Sequence, residues 1–280
     1  MKKNDDSPLI EVADLLELQK SAVPVILDCR YDLVDPESGA RAYSTGHIPR
    51  AHYASLHRDL SAPIQRFGGR HPMPTSAQFQ KFARNLGINS DTPVVVYDDN
   101  RLGFAARAWF LFFFFGHSAV RVLNGGLQAW LSEALPLESS EVPPDEPGNF
   151  HAMPKENLLV HYEQLKPTLE NAPWQLVDAR DPDRFAGRQE PIDPIAGHIP
   201  GAINQPWKSL TEESTGKVKS AQALSLQWQS LPDRRPLLNY CGSGVTACVN
   251  FLSQHLAGYK DSLLYPGSWS DWCAHQQKEE

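Results

Sequence analysis

Cys241 stands between an apolar run, Leu237-Leu238-Asn239-Tyr240, and the short loop Gly242-Ser243-Gly244, beyond which Val245 to Leu256 is rich in apolar residues. The run reads as a buried strand, the two glycines as a tight loop and the following segment as a helix. That order predicts a thiol above a helix N-terminus, where loop N–H groups converge and the helix dipole favours negative charge. A free cysteine titrates near 8.5, and such surroundings bring reactive cysteines to roughly 3.5–7.5, so nucleophilic attack at neutral pH becomes available. Gly242 and Gly244 let the backbone close around the sulfur, Ser243 and Thr246 add hydroxyls, and Val245 continues the row of loop amides that a developing anion would meet. The competing reading of Cys241 is a structural cysteine that merely packs.

The elements that must position this thiol are written twice in the chain. Val25-Ile26-Leu27-Asp28-Cys29-Arg30 followed by Gly46-His47-Ile48-Pro49 answers Gln175-Leu176-Val177-Asp178-Ala179-Arg180 followed by Gly197-His198-Ile199-Pro200. The aspartates are 150 positions apart and the histidines 151. Val94-Val95-Val96-Tyr97 answers Leu237 to Tyr240, and Gly125 with Trp130 answers Gly267 with Trp272. So long a period means paired domains rather than a solenoid. In the first copy, Val23 to Asp28, Pro93 to Tyr97 and Val120 to Leu123 read as strands. Thr75 or Ser76 caps a helix carrying Phe79, Phe82, Ala83 and Leu86 that Gly87 ends, and Ala105 to Phe115 and Gly126 to Leu135 read as further helices. Apolar strands alternating with helices predict an α/β fold, each domain a mainly parallel sheet flanked by helices. Phe112 to Phe115 then belong to a helix buried between sheet and neighbour. Pro136 to Pro154, rich in proline and acidic residues, reads as an exposed linker. The expected boundaries are a domain over 1–140, a linker over 141–155 and a second domain over 156–280.

With 26 basic and 33 acidic residues the formal charge is −7, which disfavours nucleic-acid and anionic-membrane partners and requires any anionic substrate to be captured by local positive potential. Met1 to Asp6 contain no apolar core of a secretory signal, and the longest apolar run, Trp109 to Phe115, falls far short of the ~20 residues that span a membrane. A cytoplasmic protein is expected, with Cys29, Cys241, Cys248 and Cys273 reduced. No clustered ligands indicate zinc and no Gly-rich fingerprint indicates a dinucleotide, so no cofactor or metal is expected.

Together, the paired Asp-x-Arg and Gly-His-Ile-Pro elements, the Cys-Gly-Ser-Gly-Val-Thr-Ala loop and the late Gly-x-x-x-x-Trp segments resemble the tandem-domain rhodanese-family sulfurtransferases, across essentially the whole chain. The loop is similar to that of the 3-mercaptopyruvate sulfurtransferases. The resemblance implies two rhodanese-like domains, of which the C-terminal one is catalytic and carries a sulfane sulfur on its cysteine as a persulfide. It implies a small-molecule donor and, as acceptor, cyanide or a thiol, either thioredoxin-like or of low molecular weight. The first copy has Asp98 where the second has Cys241, so only the second is expected to turn over.

By the same resemblance Arg184 matches an arginine that holds the donor's anionic end, a task its forked guanidinium suits. The alternative for Arg184 is a solvated surface residue. The family's second donor-binding arginine falls where this chain has Glu190-Pro191-Ile192-Asp193-Pro194, and Arg188 is the candidate substitute. That departure keeps thiosulfate open as donor, whereas the uncharged Gly242 and Ser243 after the cysteine favour the singly charged keto acid. His71, in Gly69-Arg70-His71-Pro72, aligns with a histidine proposed in relatives to join the loop serine and an aspartate. Here His57 takes the aspartate's position, so the relay needs Asp59 instead. Asp28, Asp178, His47 and His198 recur in both copies and read as scaffold, and Cys29, Cys248 and Cys273 as packing or surface residues. Cysteine phosphatases of related architecture need Cys-x-x-x-x-x-Arg, and Ala247 stands at the arginine's place. A non-enzymatic pair of binding modules is the remaining alternative, which the presence of Cys241 opposes.

Overall fold

The strands Val25–Asp28, Val94–Tyr97, Gln175–Asp178 and Leu237–Tyr240 are buried at every position, the pattern of parallel sheets covered on both faces. The structure, a computed structural model, describes residues 7–143, 146–231 and 235–277. Met1 to Asp6, read above for a targeting signal, and Pro144 and Asp145 of the expected linker lie outside the described residues. Among the described residues no helix is long and apolar enough to cross a membrane.

The chain divides into two compact units. Unit 1 holds the described residues up to Leu60, then Pro74–Pro154 and Glu212–Val218. Its elements in order are β1 (Leu9–Ile10), α1 (Val12–Ser21), β2 (Val25–Asp28), α2 (Ser38–Thr45), β3 (Ala51–Tyr53), α3 (Ser76–Asn85), β4 (Val94–Tyr97), α4 (Ala105–Phe114), β5 (Val120–Leu123) and α5 (Gly126–Ser132). The five strands form a parallel sheet in the order β1-β5-β4-β2-β3. Thr75 caps α3 in a capping box with Gln78, and Gly87 follows it at φ +72°. All of α4 except Phe113 is buried, as its apolar circumference requires.

Unit 2 holds Ser61–Met73, Lys155–Thr211 and the described residues from Lys219 onward. Its regular elements are α6 (Tyr162–Leu165), β6 (Gln175–Asp178), α7 (Pro182–Phe185), β7 (Ile203–Asn204), α8 (Ala221–Gln229), β8 (Leu237–Tyr240), α9 (Ala247–Leu256), β9 (Leu263–Leu264) and α10 (Ser268–Gln276). The sheet order is β7-β6-β8-β9, again parallel.

The expected linker carries no regular element among its described residues and is mostly exposed, but it is anchored at Phe150. Phe150 is buried, its ring 5.6 Å from that of His117. Its amide donates to Ile88 O at 3.0 Å and its carbonyl accepts from Arg84 Nε at 2.8 Å. Apolar burial and backbone pairing of this one aromatic outweigh the proline-rich composition around it. The segment up to Pro154 therefore packs in unit 1 instead of running free. At the other end of β2, Val23 is 62% exposed and precedes the strand.

The recurring Asp-x-Arg elements do the same work in both units. Asp28 pairs with Arg30 at 2.6 Å, Arg30 also donates to Gly46 O at 2.7 Å, and the Tyr97 hydroxyl donates to Asp28 at 2.8 Å. In unit 2, Asp178 pairs with Arg180 at 2.7 Å and Arg180 donates to Gly197 O at 2.6 Å. The hydroxyls of Tyr97 and Tyr240 accept from the amides of Ile48 and Ile199 at 3.1 and 3.2 Å. Each buried pair ties the end of one strand to the Gly-His-Ile-Pro turn, which fixes the sheet edge from which the chemistry-bearing loop departs. Removing one partner strands a buried guanidinium. Asp28→Ala is therefore expected to lower stability by about 3–5 kcal/mol, read as a fall in the urea midpoint, with Asp178→Ala similar.

Candidate active site

Cys241 follows β8 directly, and the loop it opens turns within six residues into α9. Asp178 pairs with Tyr240 in the β6–β8 register, so the buried Asp178–Arg180 pair sits one residue from the thiol's backbone. The loop is pinned from α10: the Cys241 amide donates to Ser268 Oγ at 3.1 Å, and the carbonyls of Cys241 and Gly242 accept from the amides of Trp269 and Ser270 at 3.0 and 2.9 Å. Gly244 adopts φ +75°, where a Cβ would also collide with the Pro266 carbonyl. Helix α9 begins at Ala247, two residues later than the apolar pattern predicts, because Val245 and Thr246 serve the loop. Cys241 is 2% exposed. Among the described residues, the amides of Gly242, Ser243 and Val245 donate to no backbone carbonyl.

Unit 1 shows what such a loop does with a fixed anion. Asp98, after β4, accepts the amides of Asn100, Leu102, Phe104 and Ala105 at 2.9, 3.0, 2.8 and 2.8 Å. Burial pushes this carboxyl up, against the pull of those amides. A carboxylate of the chain fills the place that the thiol begins to occupy in unit 2.

Three side chains border the unit 2 loop. The His71 Nδ1 and Ser243 Oγ atoms lie 2.8 Å apart, both residues buried. His71 comes from the Ser61–Met73 segment, which Gly68 and Arg70 fasten through amide hydrogen bonds to Asp271 at 2.7 Å and Ser270 at 3.2 Å. Arg184, in the single turn of α7, and Arg70, beside His71, both face Gly242. A Cβ placed on Gly242 would lie 3.0 Å from Arg70 Nη2 and 3.5 Å from Arg184 Nη1. Two buried carboxylates hold these guanidinia. Glu190 accepts Arg184 Nη2 at 2.7 Å, Arg180 Nη1 at 3.1 Å and the Ile192 and Asp193 amides at 3.2 and 3.1 Å. Asp193 accepts Arg184 Nη2 at 3.1 Å and pairs with Arg70.

The two acids respond oppositely. Burial works against charge on Glu190, but the hydrogen bonds from Arg184 and the two amides outweigh it and hold this carboxyl below its usual range. Burial prevails at Asp193, whose carboxyl is pushed up despite Arg70 and Arg184.

Arg188 does not join the group. It pairs with Asp183 on the exposed surface, a neighbour five residues back that its long stem reaches more readily than the loop. Asp59 caps its own turn, accepting the Ser55 amide at 2.8 Å, and His57 meets the Tyr31 hydroxyl at 2.9 Å. Cys29, Cys248 and Cys273 are buried. Burial raises the first well above the ordinary thiol range and the last to about 12. Sequence reasoning missed Arg70, Glu190 and Asp193 as a cluster. The available signal was the arginine next to His71, and the two acids stood out only as the absence of an arginine.

The Glu190 carboxyl, lowered in the folded state, stabilises the fold above the unfolded carboxylate pKa of about 4.3, and this contribution is lost as pH falls through the folded value. Glu190→Gln is thus expected to destabilise by about 3 kcal/mol at pH 7, with the gap between variant and wild-type unfolding midpoints closing below about pH 4.

The family model for the rhodanese-like domain matches residues 11–133 and 161–275. Among curated proteins, the chain is 43% identical to one of Pseudomonas aeruginosa named "Probable 3-mercaptopyruvate sulfurtransferase", over 89% of this chain and 88% of the relative. It is 36% identical to the thiosulfate sulfurtransferase of Rattus norvegicus, over 88% of this chain and 84% of the relative. Among solved structures, the 3-mercaptopyruvate sulfurtransferase from Leishmania major aligns with a TM-score of 0.85 at 27% identity, covering 99% of this chain and 77% of that one. By these matches, and by two parallel-sheet units that repeat one buried ion-pair scaffold, the chain belongs to the rhodanese-like family.

Proposed function

We propose that this protein is a sulfurtransferase that takes a sulfane sulfur from 3-mercaptopyruvate onto Cys241 and passes it to a thiol or cyanide. The observation that carries the reading is the meeting, at one loop, of a thiol at the end of a buried parallel strand with the guanidinium of Arg184. The Cys241 thiolate attacks the donor sulfur, forming an S–S bond. The electron pair of the donor's C–S bond leaves on carbon as the enolate of pyruvate, which takes up a proton. The buried His71–Ser243 pair beside the loop is the candidate proton donor, the imidazole being able to give and recover that proton. The loop amides of Gly242, Ser243, Gly244, Val245 and Thr246 stabilise the charge left on the outer sulfur. A thiolate acceptor then attacks that sulfur and departs as its own persulfide, returning the Cys241 thiolate; cyanide departs as thiocyanate.

In this reading the N-terminal domain, 1–140, is catalytically silent, because Asp98 cannot carry sulfur and is already bonded to its own loop. The C-terminal domain, 156–280, does the chemistry, assisted by the Ser61–Met73 segment that packs in its unit. Low-molecular-weight thiols or a thioredoxin-like protein in a reducing cytoplasm suit the acceptor step. Thiosulfate is the second reading for the donor, favoured by the thiosulfate sulfurtransferase relative.

Incubation with 3-mercaptopyruvate and a thiol is expected to release pyruvate and to add the mass of one sulfur to Cys241, both abolished in Cys241→Ser; full turnover by that variant would remove Cys241 as nucleophile. Arg184→Ala loses a charge-assisted contact and is expected to lower kcat/KM by about 10- to 100-fold, whereas an unchanged value with both donors would remove Arg184 from the site. Side-by-side kcat/KM for the two donors decides between them, with the higher value expected for mercaptopyruvate.

A further inference from the structure

A second guanidinium, that of Arg70, stands over the same loop as that of Arg184. We infer that Arg70, from the Ser61–Met73 segment, is a donor-binding residue that grips the donor's carboxylate together with Arg184; this rests on the sulfurtransferase reading above.

The argument is one of hydrogen-bonding geometry. Arg184 gives Nε and Nη2 to Glu190 and Nη2 also to Asp193, leaving Nη1 as its atom nearest to Gly242. Arg70 gives Nη1 to Asp193, leaving Nη2 as its nearest. Each guanidinium is thus fastened by a buried acid and lies over the residue that follows the nucleophile, Arg70 with Nη2 nearest and Arg184 with Nη1 and Nη2 almost equidistant, 3.5 and 3.6 Å from a Cβ placed there. Two such nitrogens from two residues match the two oxygens of one carboxylate.

The mounting of Arg70 is rigid enough for the task. Its amide is bonded to Ser270. The preceding Gly69 has φ +80° and lies so close to the Gly267 carbonyl that no larger residue fits. The same α10 turn receives the Cys241 and Gly242 carbonyl bonds, so thiol and guanidinium hang from one element. The Arg70 side chain is 30% exposed while that of Asp193 is 2% exposed, so the cation has an open face and its tether does not.

Charge also favours a singly charged guest. Arg70 and Arg184 are opposed by Glu190 and Asp193, which leaves the cluster near neutrality. A dianion finds less surplus potential there than it would over two unopposed arginines, whereas a carboxylate needs only the two oriented nitrogens.

The test uses the full chain with 3-mercaptopyruvate. Arg70→Gln is expected to raise KM for mercaptopyruvate by about 10- to 100-fold with kcat within about threefold. Arg70→Lys should recover part of that loss, since it restores the charge without the fork. A mercaptopyruvate KM unchanged in Arg70→Gln would overturn the role, and so would a fall in kcat as large as the rise in KM, which would place the effect on the fold. Wild-type protein that forms no pyruvate would instead sink the functional reading itself, so the two failures are distinct.

Discussion

A loop whose amides converge after a parallel strand must meet a negative charge, and both units of this chain are organised around that electrostatic constraint. Polar N–H groups turned inward and withheld from backbone carbonyls are costly unless an acceptor arrives. Unit 1 answers with Asp98, whose two oxygens take four amides. Unit 2 places a thiol at the corresponding point, which the proposed mechanism charges as a thiolate or a persulfide. The contrast between a loop filled by a carboxylate and a loop headed by a thiol on one scaffold is sharper than any difference in the strands.

That constraint explains why so much of the surrounding structure is ionic. The chain carries a formal charge of −7 and its proposed donor is an anion, so attraction has to be local. In the proposed function two guanidinia over Gly242 supply it, and two buried carboxylates keep them in place. Glu190 also reaches Arg180, and Arg180 is paired with Asp178 at the strand end. The cations of the site are therefore continuous with the ion pair that holds β6 against the Gly-His-Ile-Pro turn, and the repeated scaffold of unit 1 has no need of the extension.

The fold was largely legible because it depends on short-range pattern. Val94 to Tyr97 and Val120 to Leu123 are apolar runs of strand length between turn signals, Thr75 with Gln78 is a capping box, and the uniform greasiness of α4 permits only burial. Less legible was the stretch up to Pro154, where composition pointed to a free linker and one buried aromatic, Phe150, decided otherwise. Segment membership was also hidden: Ser61–Met73 packs with the second unit, and no periodicity in those residues records it.

The sequence by itself determined the repeated scaffold, the place of Cys241 between strand and helix, and the replacement of that cysteine by Asp98 in the first copy, since each follows from residue type and spacing along one stretch of chain. Tertiary structure alone decided which cations reach the loop. Arg188 is four residues from Arg184 in sequence and turns to Asp183 at the surface, while Arg70, more than one hundred positions away, comes to lie against Gly242. A guanidinium on a long flexible stem goes wherever buried carboxylates and a fixed backbone direct it, and those partners are brought together only when distant segments pack.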